Sequence, residues 1–404
     1  MNVQIAIALG LVAGLVFGLL AALTGSPTLL ALAEGIAPLG TAFVNLFRMV
    51  VIPLVAATVF TGVATLGNPK KLGKMGGSTL LVFWSTTLVA IVIGIVTMKL
   101  ALVIAPVTAQ FPAGEDVARE LPGAVDFLLG LIPANPFEAA ASGALLPLVV
   151  FVVLFGAAAG ALPDEQRAPL LALAEAITAA LIRLVHWILW TAPVGVFALA
   201  APMVASSGWA MLQSLSVFIL AVAVGLTVFV AAVYMPLVVV LGGINSGRFI
   251  RALFGPVAIG AGATSSAAAL PAMLNNAQQE LGVSQAVAGL VLSLGAAINR
   301  AGSALFQSTA IIFLAAMYDV QIPLASIAGV VIATFLVSLT VAGVPSASLV
   351  TLAPAMDAAG VPLAGIGVLF GVDRIPDMLR TAVNITGHMM TTVVIEPLAR
   401  GSRQ

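Results

Sequence analysis

Cysteine is absent from these 404 residues, and charge is nearly so. Without cysteine there is no disulfide, no thiolate nucleophile and no cysteine-ligated metal, although the compartment stays open. Charged side chains make up 7% of the chain, against about 25% in a soluble domain. That is too few to solvate a globular surface. Lys and Arg number 15 and Asp and Glu 15, a formal net charge of zero. No basic stripe exists to neutralise phosphates, which excludes nucleic acid as a partner. Neither a Gly-x-Ser-x-Gly elbow nor a His-Glu-x-x-His pair occurs, so His388 and the serines carry no hydrolase signature. The chain reads as a non-enzyme with no cofactor and no metal centre.

What is there is apolar. Hydrophobic residues make up 61% and mean hydropathy is +1.20, which makes this an all-α multi-pass membrane protein. A bilayer span takes roughly 20 apolar residues, and candidates lie at 3–24, 37–66, 76–105, a broken region 124–162, 168–204 and 212–242. The first, lacking a basic leader, reads as a retained helix rather than a signal peptide. The 39 glycines and 23 prolines fall mostly inside apolar stretches, where they permit close packing and broken helices if neighbours satisfy the freed backbone.

Past Arg251 the pattern changes. Segments 251–280 and 323–361 are interrupted at their centres by GAGATSSAAALP and AGVPSASL. Each suits a helical hairpin that turns back within the membrane, and each is followed by a longer helix, 285–317 and 363–398. Paired interrupted segments point to a secondary-transporter site built from inverted repeats. Basic loops at 68–76 and 245–251, with Arg400 and Arg403, place both termini in the cytoplasm of a cell (inner) membrane protein.

Two polar features stand out. Between Leu281 and Met356 the only charged residues are Arg300 and Asp319, and one arginine mid-span costs roughly 2.5–3.5 kcal/mol on insertion scales. Its structural reading is a link to Asp373 or to helix-end carbonyls. In GVDRIPDMLRTAVNITGHMM, residues Asp373, Asp377, Arg380, Asn384 and His388 sit at offsets 0, 4, 7, 11 and 15. At 100° per residue they fall within about 80° of one another, a single polar stripe on an otherwise apolar helix. Such a stripe faces a bundle interior or an aqueous cavity.

This stripe is similar to the final helix of the dicarboxylate/amino acid:cation symporters, which include archaeal sodium–aspartate symporters and excitatory amino acid transporters. LFRMVVIPLVAATVFTGVATL, NPF…LLPLVVFVVLFG, TAPVGVFALAA, TSSAAALP and AGVPSAS extend the resemblance over nearly the whole chain. It implies eight transmembrane helices and two re-entrant hairpins, assembled as a homotrimer of elevator type. Residues 1–75 would supply the first two scaffold helices, 76–105 a transport-domain helix, and 106–210 an extracellular loop with two more scaffold helices. Residues 211–404 would form the rest of the transport domain.

The resemblance also implies roles. Arg380 would clamp the substrate's side-chain carboxylate and Asp377 its ammonium, with Thr381 beside them. Asn384 would hold amino and carboxylate groups, Ser265 and Ser266 the α-carboxylate, and Ser303 the side-chain carboxylate. Val344, Pro345 and Ser346 would close over the site through their backbone. Keeping both Asp377 and Arg380 points to aspartate or glutamate, with a C4-dicarboxylate as the alternative.

The cation sites depart from the family. Where relatives read Asn-Met-Asp-Gly-Thr, this chain reads Asn299-Arg300-Ala301-Gly302-Ser303, and His388 replaces a second sodium-ligating aspartate. Sodium wants hard oxygen ligands, so sodium coupling of the family type is not expected. Arg300 then supplies permanently the charge that relatives borrow from sodium. Arg300, Arg374 and Arg380 against Asp373 and Asp377 leave a net of +1, which an acidic amino acid would cancel. Transport would be proton-coupled, with His388 as one titratable candidate, or uncoupled.

Overall fold

The computed structural model describes residues 3–66, 69–107, 129–130, 132–142, 144–339, 341 and 346–401. Among them every regular element is helical. Hydrocarbon offers backbone amides no water, and a helix satisfies them internally.

α1 spans Val3–Thr24, α2 Pro27–Leu66 and α3 Pro69–Ile104. A short α4, Pro136–Ala141, leads to α5, Leu145–Gly160, and then to α6, Asp164–Ser207. α7, Trp209–Phe229, runs through a π-helical turn at Val230–Tyr234 into α8, Met235–Val240. Among the described residues four helical stretches are long and apolar enough to cross a membrane: Met75–Ile104, Asp164–Val185, Trp209–Val240 and Gln285–Met317. Shorter apolar helices accompany them, and the chain is an all-α multi-pass membrane protein.

The expected span 37–66 is part of a longer helix, because Pro38 and Pro53 sit inside α2 without ending it. Likewise 168–204 lies within α6, which carries Pro169, Pro193 and Pro202 in its interior. Packing against neighbours explains the tolerance: α2 and α6 lie along each other, and α1 lies along α6. Gly10, Gly14 and Gly18 form a stripe of small residues on α1. A Cβ there would come within 2.2 Å of the Pro193 carbonyl oxygen, 3.0 Å of that of Phe197 and 2.5 Å of that of Ala201. Only glycine lets the two backbones approach so closely.

Both interrupted segments have helices on either side of the interruption. In the first, α9 (Ser246–Ala263) and α10 (Leu270–Gln279) flank Thr264, which sits in the left-handed region at φ 48°. The second has α13 (Leu324–Ser338) on one side and two short helices on the other, α14 (Ala347–Val350) and α15 (Ala353–Ala358). Val344 and Pro345 lie outside the described residues; Ser346 is left-handed at φ 58°.

Two helices expected to be continuous are not. Segment 285–317 divides into α11 (Gln285–Ile298) and α12 (Ala301–Met317), with Asn299 extended at φ −85°, ψ 110°. Segment 363–398 opens with a 3-10 turn and α16 (Ile366–Val372), then passes through Asp373 into α17 (Arg374–Gly401). α12 is buried at every residue from Ala301 to Ala315. A helix buried all round needs no polar face, and this one is the post on which α3, α7, α13 and α17 pack.

Candidate functional site

The break at Asn299–Arg300 frees backbone groups in the middle of the protein. Helix ends buried without partners are costly, and here side chains supply the partners. The Arg300 guanidinium donates from Nη2 to the Ala296 carbonyl at 2.6 Å, capping the C-terminal end of α11. Nε donates to the Val341 carbonyl at 2.9 Å and Nη1 to Ser266 Oγ at 2.9 Å. On the other side of the break, Asn384 Oδ1 accepts from the Gly302 amide at 2.9 Å, and its Nδ2 donates to Ser303 Oγ at 3.2 Å. His388 Nε2 lies 3.1 Å from the Asn299 carbonyl; a carbonyl only accepts, so Nε2 bears the proton in that bond.

Arg300 therefore has helix-end carbonyls and a hydroxyl as partners, one from each interrupted segment, and no carboxylate among the described residues. It is 3% exposed. Of the two structural links considered from sequence, the carbonyl one is present and the Asp373 one is not. Asp373 is engaged elsewhere.

A second cluster sits at the start of α17. Arg380, 1% exposed, makes a fork with Asp373 (Nη1–Oδ1 2.5 Å, Nη2–Oδ2 3.1 Å) and reaches Asp377 Oδ1 at 2.8 Å. Its guanidinium also lies over the Phe306 ring, 4.3 Å from the centroid, a favourable cation–π position. Asp377 Oδ2 accepts from the Ser346 amide at 3.0 Å, tying the second turn to α17. Asp377 is thus a bridge between a buried cation and a turn.

Arg374 stands apart from this cluster. It donates from Nη2 to the Gly262 carbonyl at 3.1 Å and from Nη1 to Thr264 Oγ1 at 3.4 Å. A cation at the C-terminal end of α9 meets the negative end of the helix dipole.

These elements enclose a cavity of about 20 Å³ lined by Thr264, Ser266, Arg300, Ser303, Val341, Ser348, Asp377, Arg380, Thr381 and Asn384. Its room suffices for about one water. An amino acid enters only if the lining moves; around the second interruption Val341 accepts from Arg300, the Ser346 amide donates to Asp377 and the Ser348 carbonyl accepts from Gln307.

Seven sequence-derived site residues meet at that cavity: Ser266, Arg300, Ser303, Asp377, Arg380, Thr381 and Asn384. Asp373 stands behind Arg380 rather than in the lining. Ser265 is not part of the lining; its Oγ accepts from the Ala268 amide at 3.4 Å. Asn299 and His388 lie behind the break, and Arg374, on α17, reaches the C-terminal end of α9. The cavity also has Thr264, Val341 and Ser348, which were not among the expected site residues. Ser348 was legible as the second serine of Pro345-Ser346-Ala347-Ser348, two residues beyond Ser346; Val341 acts through its carbonyl, which no side-chain pattern announces.

Broken helices around a buried, charged, polar cavity define a membrane carrier rather than an enzyme, and the comparisons agree. The model of the Sodium:dicarboxylate symporter family matches residues 1–398. The chain belongs to that family of secondary transporters. It is 31% identical over 370 residues to the Proton/glutamate-aspartate symporter of Escherichia coli (strain K12), covering 89% of this chain and 84% of that one. Against the Proton/sodium-glutamate symport protein of Geobacillus stearothermophilus it is 31% identical over 398 residues, covering 96% and 92%. The C4-dicarboxylate transport protein of Anaeromyxobacter sp. (strain K) is 32% identical over 366 residues, covering 89% of this chain and 82% of the relative.

Proposed function

We propose that this protein carries acidic amino acids, aspartate or glutamate, across the cell (inner) membrane by an elevator mechanism without coupling to sodium. The observation that carries the reading is the facing of Arg380 and Asp377 on one buried cavity, with Asn384 below them. A zwitterionic acid matches that pair in both signs. Its side-chain carboxylate takes the planar fork of Arg380, and its ammonium takes Asp377. Arg380 and Asp377 hold each other at 2.8 Å, so a ligand that separates them has to replace both halves of the interaction.

A plain dicarboxylate replaces only one half and leaves Asp377 without its cation. Leaving a buried charge unpaired is expensive, roughly 3–5 kcal/mol. A C4-dicarboxylate substrate is the second reading, favoured by the similarity to the Anaeromyxobacter protein. Competition by succinate against labelled aspartate separates the two.

Arg300 is the reason for sodium independence. Its guanidinium is buried beside the break and unpaired with any carboxylate among the described residues, so a cation brought alongside would be repelled. Three buried or half-buried arginines against Asp373 and Asp377 leave the site at +1, and an acidic amino acid brings it to zero. Residues 76–105 and 211–404 would travel as the transport domain against a scaffold of 1–75 and 106–210. The carrier would be a homotrimer of eight-helix, two-hairpin protomers with both termini cytoplasmic. A co-transported proton or uncoupled exchange would complete the cycle.

The test is uptake of labelled aspartate into proteoliposomes with sodium wholly replaced by choline at fixed pH. Undiminished uptake is the expected result. Abolished uptake would return Arg300 to a purely structural role.

A further inference from the structure

Behind the break, away from the cavity, is a group of polar atoms that the transport reading does not use. Tyr234 Oη and both side-chain atoms of Asn299, Oδ1 and Nδ2, are fully enclosed and make no hydrogen bond to any described protein group. Tyr234 is 0% exposed and Asn299 1%. Gly387 on α17 brings them to one place. A Cβ at 387 would stand 2.4 Å from Tyr234 Oη and 3.1 Å from Asn299 Nδ2, so both polar groups are aimed at the same bare stretch of helix.

Three irregularities converge there. The π-helical turn Val230–Tyr234 rotates the tyrosine out of register with α7; such bulges are frequent at functional sites. Asn299 is the extended residue of the break. A side chain at Gly387 would collide with the tyrosine hydroxyl, so glycine is what lets Tyr234 Oη reach this stretch of α17. An orphaned amide or hydroxyl in an apolar interior costs about 1–3 kcal/mol, and buried polar groups are nearly always satisfied. Two orphaned atoms, Tyr234 Oη and Asn299 Nδ2, meet beside Gly387, and the other polar atom of the same amide, Asn299 Oδ1, is orphaned as well.

The ligand follows from the chemistry. Tyr234 Oη donates or accepts, Asn299 Oδ1 accepts and Asn299 Nδ2 donates, so the occupant must do both. No group of three or more His, Asp or Glu that could hold a metal exists among the described residues. The neighbouring residue is Arg300, whose fixed positive charge opposes a second cation. We propose that Tyr234 and Asn299 form a buried water-binding site behind the helix break. The bound water closes the hydrogen bonds of the hydroxyl and the amide, and so holds Asn299 in the extended conformation that presents Arg300 to the cavity.

Tyr234→Phe in the full-length purified protein is the experiment, because it keeps the ring and its contact with Phe229, 4.5 Å between centroids. With water bound, loss of the hydroxyl strips the water of a partner and Tm falls. Asn299→Ala lowers Tm as well, and the double variant falls by less than the sum, as coupled neighbours do. An unchanged or raised Tm in Tyr234→Phe means that the hydroxyl was dry, and overturns the proposal. A Tm of the unsubstituted protein that rises in sodium or potassium over choline, with the rise lost in Tyr234→Phe, also overturns it, in favour of a monovalent cation. A density map of the unsubstituted protein that resolves waters decides the matter without any variant. A peak within hydrogen-bond distance of Tyr234 Oη and the Asn299 amide is expected, and a blank position there sinks the inference.

Discussion

Replacing Arg380 with glutamine separates what this residue does for the fold from what it does for the ligand. In the structure its guanidinium neutralises two carboxylates at once, Asp373 through a fork and Asp377 at 2.8 Å, in a place 1% exposed. The substitution leaves both carboxylates buried without a cation, and breaking a buried pair costs roughly 3–5 kcal/mol. Thermal stability of the detergent-purified protein should fall by several degrees. Removing one of the two stranded charges, in Arg380→Gln with Asp373→Asn, should recover much of that loss.

Ligand binding should not recover with it. Hydrogen bonds to charged groups contribute about 1.5–3 kcal/mol each, so a lost two-point clamp is on the order of 3–6 kcal/mol. Each 1.4 kcal/mol is a factor of about ten, which puts the loss of affinity for aspartate between about a hundredfold and ten-thousandfold. The assay pairs a melting curve with uptake or calorimetric binding for the single and double variants. A double variant that regains both stability and aspartate affinity would refute the reasoning, because Arg380 would then serve only to neutralise Asp373 and Asp377.

Three further outcomes are expected. Arg300→Met combined with Ala301→Asp restores the residue types that relatives carry at these positions, and uptake in that variant should become stimulated by sodium in a sodium titration. Exchange of labelled for unlabelled aspartate across the membrane should change little when a potassium–valinomycin potential is imposed, since only the neutral loaded site crosses in exchange and each uncompensated charge would be worth about 2.3 kcal/mol per 100 mV. Gly18→Leu on α1 meets the Ala201 carbonyl oxygen, already 2.5 Å from where a Cβ would stand; overpacking of this kind costs about 1–3 kcal/mol, read as a lower Tm.

Much of this protein is written locally. Sixty-one per cent hydrophobic residues with 7% charge admit nothing but a membrane protein, because desolvation acts on each residue separately. The stripe Asp373–Asp377–Arg380–Asn384–His388 is legible because helical periodicity alone puts those side chains on one face. TSSAAALP and AGVPSAS mark the two interruptions because glycine, serine and proline act on their own backbone. The family follows from these same motifs.

What the string of residues does not contain is the partner of each buried group. Asp373 and Arg300 were both open choices for one another until packing placed Asp373 on the Arg380 fork and gave Arg300 the carbonyls of Ala296 and Val341. The α11–α12 break falls at Asn299 although no proline or glycine occupies that residue, because Arg300, Asn384 and His388 converge from two helices to satisfy the freed backbone. Tyr234 meets Asn299 only through a π turn and a glycine on a third helix. Composition and periodicity are short-range properties and survive in the sequence; which of several candidate partners satisfies a buried charge or amide is settled by packing, as when Arg300 finds Val341 41 positions away and Asn299 finds His388 89 away.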